Sequence, residues 1–292
     1  DARRSVSQSR MGAGFLLVVN GPVGQGLYRM KKTILITGAG SGIGLDTALA
    51  LAARQHRVIA TTFDEAQAQT LQAMALTKGL SLEVFKLDIT SPQDREKILS
   101  LELDVLINNA GVGESGSLAE VDIDRIRHVF EVNLFGTLAL TQLALRGMIQ
   151  RQRGTVLLVS SIAGRIPMPF LMPYSMSKFA LSAAGAGLRA ERQQLRCGVH
   201  VSLIEPGAIH TGFNQAMTES KYAWMGKQSY FAAHVARLKA EEKRTFQFLE
   251  AKTTQSIVSQ IVKAAEAKKP KLRYVAPWIQ GFGVRLARIF GV

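Results

Sequence analysis

Short apolar runs alternate with helix-length stretches along most of this chain. The runs are typical of strands that are buried on both faces of a sheet. Strands are predicted over residues 33–37, 57–62, 81–87, 103–107, 154–159, 199–204 and 272–275. Helices are predicted over residues 45–54, 67–76, 92–101, 122–150 and 174–196, helical stretches fill residues 214–267, and residues 278–290 form a final amphipathic segment. This alternation predicts an α/β fold: a doubly wound parallel sheet of about seven strands with helices on both faces.

The alternation spans residues 30–292 without a linker, so we expect one Rossmann-type domain there. It includes a helical insert at about residues 212–250 and an amphipathic segment at about residues 277–290. Residues 1–29 lack the pattern, and their apolar run is far shorter than the ~20 residues needed to span a bilayer. They also lack a clear signal-peptide cleavage site, so we interpret them as a disordered or non-native extension. No other segment is expected to cross a membrane.

The composition is basic, with 36 Lys and Arg against 22 Asp and Glu, a net charge of +14. No basic run is interleaved with aromatic residues, so nucleic-acid binding is not predicted. A solvated basic face is the first interpretation, and attraction of an anionic cofactor or a membrane is the second. The single cysteine, Cys197, excludes a disulfide framework and fits a reducing, cytoplasmic compartment. His210 has no partner at ligand spacing, so no metal site is predicted.

A glycine-rich turn follows the first predicted strand. It consists of Gly38, Gly40, Ser41, Gly42, Ile43 and Gly44 and precedes a predicted helix. Glycines there allow a sharp turn and a close approach to a pyrophosphate, and the helix start offers free N–H groups. The spacing is TGxxxGxG rather than GxGxxG, and the strand–turn–helix context predicts dinucleotide binding.

Tyr174 and Lys178 stand four residues apart at the start of a predicted helix, and therefore on one face. An ammonium beside a phenol favours the phenolate and lowers its pKa, which makes Tyr174 a candidate acid and base near neutral pH. A solvated helix face is the alternative for such a pair alone. Other polar clusters favour chemistry, because they follow the predicted strands where ligands of such sheets bind. They are residues 38–44, Asp88, 108–111, 160–161 and 206–211.

Together these motifs resemble the short-chain dehydrogenase/reductase family over residues 31–213. The matching elements are residues 37–44, residues 108–111, Asn133, Ser161, Tyr174-x-x-x-Lys178 and Pro206-Gly207-x-x-x-Thr211. The segment 198–211 is similar to the hydroxysteroid and retinol dehydrogenase group within that family. The resemblance implies an NAD(P)-dependent oxidoreductase, a homodimer or homotetramer, that interconverts an alcohol and a carbonyl compound.

The resemblance also implies roles for the catalytic residues. Tyr174 would exchange a proton with the substrate oxygen, and Lys178 would lower the tyrosine pKa and hold the nicotinamide ribose. Ser161 would hydrogen-bond the substrate oxygen; it is chosen over Ser160 because it lies thirteen residues before Tyr174. Asn133 would hold a water that links Lys178 to solvent; the alternative, an ordinary polar helix residue that satisfies the backbone, is compatible with that role.

Nucleotide contacts are implied in the same way. Asp88 would lie beside the adenine, with a helix cap as the alternative, and Thr211 would bind the carboxamide. Further contacts would come from the glycine turn and from Asn109, Ala110, Gly111, Pro206 and Gly207.

The choice between NAD and NADP depends on the end of the second predicted strand. An acid there binds the ribose hydroxyls of NAD, whereas a basic residue accepts the phosphate of NADP. Thr62 and Phe63 occupy these positions, with Asp64 just beyond. Thr62 leaves room for a phosphate, so we predict a modest preference for NADP; Asp64 would reverse it if it reached the ribose.

The predicted substrate is a lipophilic alcohol or ketone that is steroid-, retinoid- or fatty-like. The apolar segment 166–173 directly precedes Tyr174, and methionines and aromatic residues adapt to apolar ligands. The insert adds Phe213, Met217, Tyr222, Trp224 and Met225, for which core packing is the alternative. We expect the C-terminal segment to pack or form a subunit interface, with peripheral membrane contact ranked second.

Three other functions compete with this prediction. A non-catalytic NAD(P)-binding regulatory module is disfavoured because Tyr174, Lys178 and Ser161 are all present. An isomerase or dehydratase of the longer-subunit branch is disfavoured by the glycine spacing. A 3-ketoacyl-type reductase is disfavoured by the long apolar insert.

Overall fold

Seven parallel strands form one sheet in residues 31–291, the part of the chain that the computed structural model describes. They are β1 Thr33–Ile36, β2 Arg57–Thr62, β3 Glu83–Lys86, β4 Val105–Asn108, β5 Arg153–Val159, β6 Gly198–Pro206 and β7 Arg273–Ala276. Their order is β3-β2-β1-β4-β5-β6-β7, and every neighbouring pair is parallel. The predicted fold class is confirmed. The prediction for residues 1–29 lies outside the described residues.

Helices connect the strands. They are α1 Gly42–Ala53, α2 Glu65–Thr77, α3 Pro92–Glu96, α4 Ile123–Phe130, α5 Thr137–Gln150, α6 Met172–Gln194, α7 Phe213–Trp224, α8 Val235–Leu249, α9 Gln255–Glu266 and α10 Trp278–Ile289. Polar side chains begin several of them: Asp64 accepts a hydrogen bond from Gln67 N at the start of α2, and Ser91 accepts one from Asp94 N at the start of α3. Such caps satisfy N–H groups that have no partner within the helix. The insert consists of α7 and α8.

Successive residues of the central strands enter separate cores on the two faces of the sheet. Ile34 and Ile36 of β1 pack in one core, with residues of α1 and α9, while Leu35 packs in the other, with residues of α5 and α6. All three are fully buried. The strands are therefore continuous apolar runs rather than alternating ones, because neither face meets water.

One predicted helix contains a π-helical turn. The helix predicted over residues 122–150 is confirmed as a helical run over Ile123–Gln150, in which the π-helical turn Glu131–Gly136 joins α4 to α5. The run Ile123–Gln150 is also long and apolar enough, by length and composition, to cross a membrane, contrary to our expectation. Leu140 and Met148 on this run are fully buried in the core, and core helices meet the same criterion.

The chain direction across the sheet reverses at β1. From β1 the chain builds outward through β2 and β3 on one side, and through β4 to β7 on the other. The loops that follow β1 and β4 therefore diverge, leaving a crevice at the carboxyl ends of these strands, where ligands of open α/β sheets bind.

We predict that a buried ion-pair cluster stabilises the β6–β7 edge. Glu205 on β6 is fully buried, and its carboxylate accepts hydrogen bonds from Arg165, at 3.0 Å, and from Arg273 on β7. Glu205→Gln keeps the shape but leaves these guanidinium groups uncompensated, so we expect the free energy of unfolding to fall by roughly 3–5 kcal/mol. Urea denaturation measures this change.

Glu83→Gln is the matched control. Glu83 pairs with Arg57 at 2.6 Å, but about half of each side chain is exposed, so we expect a loss below about 1 kcal/mol. Equal losses in the two variants would contradict the importance of the Glu205 cluster.

Candidate active site

Tyr174 and Lys178 lie in the first turns of α6, which begins at Met172. Pro173 occupies the first turn, where its missing N–H needs no partner. The Lys178 side chain is 4% exposed, and its Nζ lies 5.6 Å from the centroid of the Tyr174 ring. The four-residue spacing thus brings the two side chains together at the wall of the crevice.

The protonation of this pair differs from the prediction. Burial raises the pKa of Tyr174 to about 12, and a hydrogen bond with Ser161 opposes the rise only in part. Burial lowers the pKa of Lys178 to about 8, and its Nζ donates to the Val159 carbonyl at 2.9 Å. The expected lowering of the tyrosine pKa is therefore wrong for this arrangement. Tyr174 is a neutral phenol at pH 7, which can donate a proton.

The two serines after β5 have different partners. Ser160 Oγ bonds to the Ser182 hydroxyl at 2.8 Å and donates to the Lys178 carbonyl at 3.1 Å. It therefore ties the strand end to α6. Ser161 Oγ bonds to the Tyr174 hydroxyl and accepts from Ala163 N at 3.1 Å. Only Ser161 is placed to share a substrate oxygen with Tyr174.

Asn133 lies within the π-helical turn and is fully buried. Its Oδ1 accepts from Val112 N at 2.8 Å, and its Nδ2 donates to Val112 O at 2.9 Å and to Ser177 Oγ at 3.0 Å. A Cβ on Gly111 would lie 3.0 Å from Asn133 Oδ1 and 3.5 Å from Lys178 Nζ. Asn133 therefore holds the segment after β4 beside Lys178. It satisfies the backbone of Val112, which is the alternative role predicted for it.

The glycine turn is closed against the loop after β4. Gly38 has φ +65°, and a Cβ there would lie 2.7 Å from Ala110 Cα; a Cβ on Gly44 would collide with the Gly38 carbonyl. Asn109 Nδ2 donates to the carbonyls of Thr37 and Gly38, at 3.0 Å each. α1 starts at Gly42, so its first N–H groups have no intrahelical partner. This cradle fits a dinucleotide pyrophosphate.

One cleft of about 1220 Å³ contains nearly all of the predicted site. Its lining includes every predicted nucleotide and catalytic residue except Thr62 and Asn133. Thr62 is fully buried, and its hydroxyl donates to the Asp64 carbonyl at 2.9 Å. Phe63 and Gln67, rather than Thr62, line that end of the cleft.

Gln67 is a residue that the sequence did not reveal. Its Oε1 lies beside Gly40, while its Nε2 donates to Asp64 Oδ2 at 3.0 Å. The other oxygen of Asp64 accepts from Gln67 N at 2.8 Å as the cap of α2. Both carboxylate oxygens of Asp64 are thus engaged at the helix start. No local spacing pairs Gln67 with Gly40, so only the fold shows this contact.

The other end of the cleft is mostly apolar. The predicted segment 166–173 contributes Met168 and Phe170, and the insert contributes Phe213 and Met217. The Phe213 ring lies 5.6 Å from the Tyr174 ring, centroid to centroid. Two charged residues that the sequence did not single out, Lys221 and Glu242, also line this end together with Tyr222. Trp224 and Met225 do not line the cleft; Trp224 packs against Gly116 and Arg125.

The chain is similar to known proteins over most of its length. A family model described as short chain dehydrogenase matches residues 32–222. Retinol dehydrogenase 8 from Homo sapiens is 37% identical over 189 residues, 62% of this chain and 60% of that protein. Its Bos taurus counterpart is 32% identical over 83% of this chain and 80% of that protein. The 17-beta-hydroxysteroid dehydrogenase type 1 from Homo sapiens is 33% identical over 84% of this chain and 77% of that protein.

Solved structures give the same result. A short-chain dehydrogenase from Streptomyces avermitilis matches 89% of this chain and 94% of that chain, with TM-score 0.70 and 25% identity. A short chain dehydrogenase/reductase from Burkholderia phymatum in complex with NAD matches the same shares with TM-score 0.75. At 21% identity, that second likeness supports the fold alone. The protein belongs to the short-chain dehydrogenase family of NAD(P)-dependent oxidoreductases.

Proposed function

We propose that the protein interconverts a lipophilic alcohol and its ketone or aldehyde, on a steroid-, retinoid- or fatty-like molecule. One observation carries this proposal: Tyr174, Ser161 and Lys178 lie where the glycine cradle meets the apolar half of one cleft. The relatives named for retinol and 17-beta-hydroxysteroid substrates support the lipophilic class.

In this mechanism the bound nicotinamide supplies or accepts the hydride. In the direction of reduction, the neutral Tyr174 hydroxyl donates its proton to the carbonyl oxygen as negative charge develops there. Ser161 Oγ donates a second hydrogen bond to that oxygen and holds it beside the phenol. In the direction of oxidation, the same groups act in reverse: the phenolate form of Tyr174, stabilised by the Lys178 ammonium, accepts the proton of the alcohol.

Lys178 supports both steps from a fixed position. Lys178 Nζ donates to the Val159 carbonyl, which holds it next to Gly111 and 5.6 Å from the centroid of the Tyr174 ring. From there the ammonium can donate to the ribose hydroxyls of a nucleotide and stabilise the phenolate that reduction leaves on Tyr174. Its low pKa makes this positive charge dependent on pH.

We predict that Tyr174→Phe lowers kcat by about 10²–10⁴-fold, because the substitution removes the general acid but keeps the ring. NAD(P)H fluorescence measures turnover of a lipophilic ketone, and nucleotide binding should be unchanged. Ser161→Ala should lower kcat about 10²-fold or more. Ser160→Ala is the matched control and should retain activity, since the Ser160 hydroxyl bonds to Lys178 O and Ser182 Oγ on α6 rather than to Tyr174. Undiminished activity of Tyr174→Phe would defeat the mechanism.

For the nucleotide we propose a modest preference for NADP over NAD. Both Asp64 oxygens accept hydrogen bonds from Gln67 at the start of α2, which leaves this carboxylate less available to the ribose diol of NAD. Phe63 and Gln67 make this end of the cleft neutral.

We predict that nucleotide affinity falls as the pH rises through about 8. The Lys178 ammonium is present below its pKa of about 8 and lost above it. If bound nucleotide favours the charged form, Kd should rise by up to about tenfold per pH unit above 8. Fluorescence titration from pH 6 to 9.5 measures this, and NADPH should bind more tightly than NADH throughout.

Lys178→Met is the control for this titration. Its Kd should be higher at neutral pH and should lack the rise near pH 8. A wild-type Kd that is flat over this range would exclude a role for the lysine charge in binding. Tighter binding of NADH than of NADPH would reverse the proposed nucleotide preference.

We further propose that the protein is cytoplasmic and contacts membranes peripherally through α10. Only Gly281 and Val284 of this helix are buried, while Trp278, Ile279 and Phe282 are 76%, 64% and 53% exposed. No acidic residue occurs between positions 268 and 290, which include Arg285 and Arg288. An aromatic face with arginines fits an anionic lipid surface. In a two-fold symmetric dimer built on α10, the arginines of one subunit would face those of the other and repel them. A homo-oligomer would therefore use another face.

We predict that the full chain co-sediments with vesicles of phosphatidylcholine and phosphatidylserine, and less with phosphatidylcholine alone. Trp278→Ser combined with Phe282→Ser should abolish most of this binding, because it removes the buried apolar area. Phe135→Ser is the matched control, since Phe135 is 55% exposed on a different element. Equal sedimentation of both variants would contradict the assignment to α10.

A further inference from the structure

One face of α7 forms a path along the cleft from the catalytic residues to a buried charge. Phe213, Met217 and Lys221 recur every four residues, and all three line the cleft. Phe213 lies against Tyr174, with ring centroids 5.6 Å apart. Eight residues of helix separate Phe213 from Lys221, which corresponds to about 12 Å along the axis. The path is apolar until it reaches the ammonium.

Lys221 is held in place by α8. Its side chain is 5% exposed, and its Nζ donates to both oxygens of Glu242 at 2.9 Å. Thr218, one turn earlier on α7, donates to Glu242 Oε1 at 3.1 Å. A buried ion pair contributes little net stability compared with apolar residues of the same size. The position of the Lys221–Glu242 pair in the wall of an apolar cleft therefore points to a role in binding a polar group of the substrate.

The hydrogen-bonding capacity of the pair shows what it can bind. An ammonium has three N–H donors, and two of those on Lys221 go to Glu242. Among residues 31–291 the third has no hydrogen-bond acceptor, and Nζ lies 4.6 Å from the centroid of the Tyr222 ring. Glu242 already accepts from Lys221, Thr218 and the Tyr222 hydroxyl. The pair therefore offers a donor, and a substrate oxygen that accepts a hydrogen bond fits it.

The local charge disfavours an anionic group at this point. Glu242 neutralises Lys221, and Glu241, which also lines the cleft, pairs with Arg237 at 3.6 Å. A substrate carboxylate or phosphate would therefore compete with a carboxylate for the cation of either pair. A neutral oxygen in a hydroxyl, ketone or ether can accept from Lys221 without that competition.

We propose that Lys221, oriented by Glu242, recognises a neutral oxygen at the far end of an elongated apolar substrate, about 12 Å along α7 from the catalytic end. This inference rests on the proposed function and narrows its substrate class. It favours a rigid lipid with an oxygen at each end, such as a hydroxylated steroid ketone. It disfavours a retinoid, whose far end is a hydrocarbon ring, and a chain that ends in a carboxylate.

Two probes test the proposal. Estrone carries a ketone and a phenol at opposite ends, and 3-deoxyestrone lacks only the phenol oxygen. With NADPH, we expect the wild-type kcat/KM for estrone to be about 10–100-fold higher than that for 3-deoxyestrone. The deoxy probe leaves the buried Lys221 donor without an acceptor. The double variant Lys221→Met/Glu242→Gln removes both charges and should bring this ratio close to one while it still reduces the deoxy probe.

Lys239→Met is the matched control. Lys239 Nζ lies 4.9 Å from the centroid of the same Tyr222 ring, but the residue lines the neighbouring groove between α7 and α8 and not the cleft. Its estrone-to-deoxyestrone ratio should match the wild-type ratio. Circular dichroism melts check that each variant is folded.

Each outcome has a distinct meaning. Equal kcat/KM for both probes in the wild-type protein overturns the proposed role of Lys221. It leaves the proposed function standing, because both probes are still reduced. A wild-type ratio that persists in the double variant has the same consequence. Failure to reduce either probe, with nucleotide bound, overturns the steroid-like class and the inference together. The wild-type comparison needs no variant, so it decides the question even if the double variant does not fold.

Discussion

The site depends on the close backbone contact between the turn after β1 and the loop after β4. Gly38 stands against Ala110, Gly44 stands under the Gly38 carbonyl, and no side chain fits at either glycine. The Asn109 amide bridges this contact by donating to two carbonyls of the turn. Because the chain continues from β1 and from β4 toward opposite sides of the sheet, this contact forms the floor of the cleft between them. The catalytic side chains stand above that floor.

Burial sets the chemistry of those side chains in opposite directions. The same apolar surroundings keep the Tyr174 phenol protonated and weaken the hold of Lys178 on its proton. The free protein is thus arranged to donate a proton from the phenol rather than to accept one. A bound nucleotide with its phosphates and ribose would favour the charged lysine, and a charged lysine in turn eases loss of the tyrosine proton. Nucleotide binding and proton transfer are therefore coupled through one amine.

The sequence predicted the parts of the structure that depend on local pattern. Apolar runs located the central strands because both of their faces are buried, and the spacing of Tyr174 and Lys178 on one helix face predicted their proximity on α6. It could not predict features that depend on distant partners. The π-helical turn at Asn133 has the hydropathy of an ordinary helix, and Gln67 meets Gly40 only across the fold. The tyrosine pKa was predicted in the wrong direction, because helical spacing does not report burial.

Cofactor binding and substrate recognition occupy separate parts of this fold. The cradle and the catalytic residues lie at the ends of sheet strands and on α6, which the core holds rigidly. The far wall of the cleft lies on α7 and α8, the insert after β6, and α8 has no buried residue of its own. Phe213 joins the two parts by packing against Tyr174. The ion pair of Lys221 and Glu242 lies entirely within the insert, so a substitution there changes the far wall of the cleft, whereas the proton donor stays on α6.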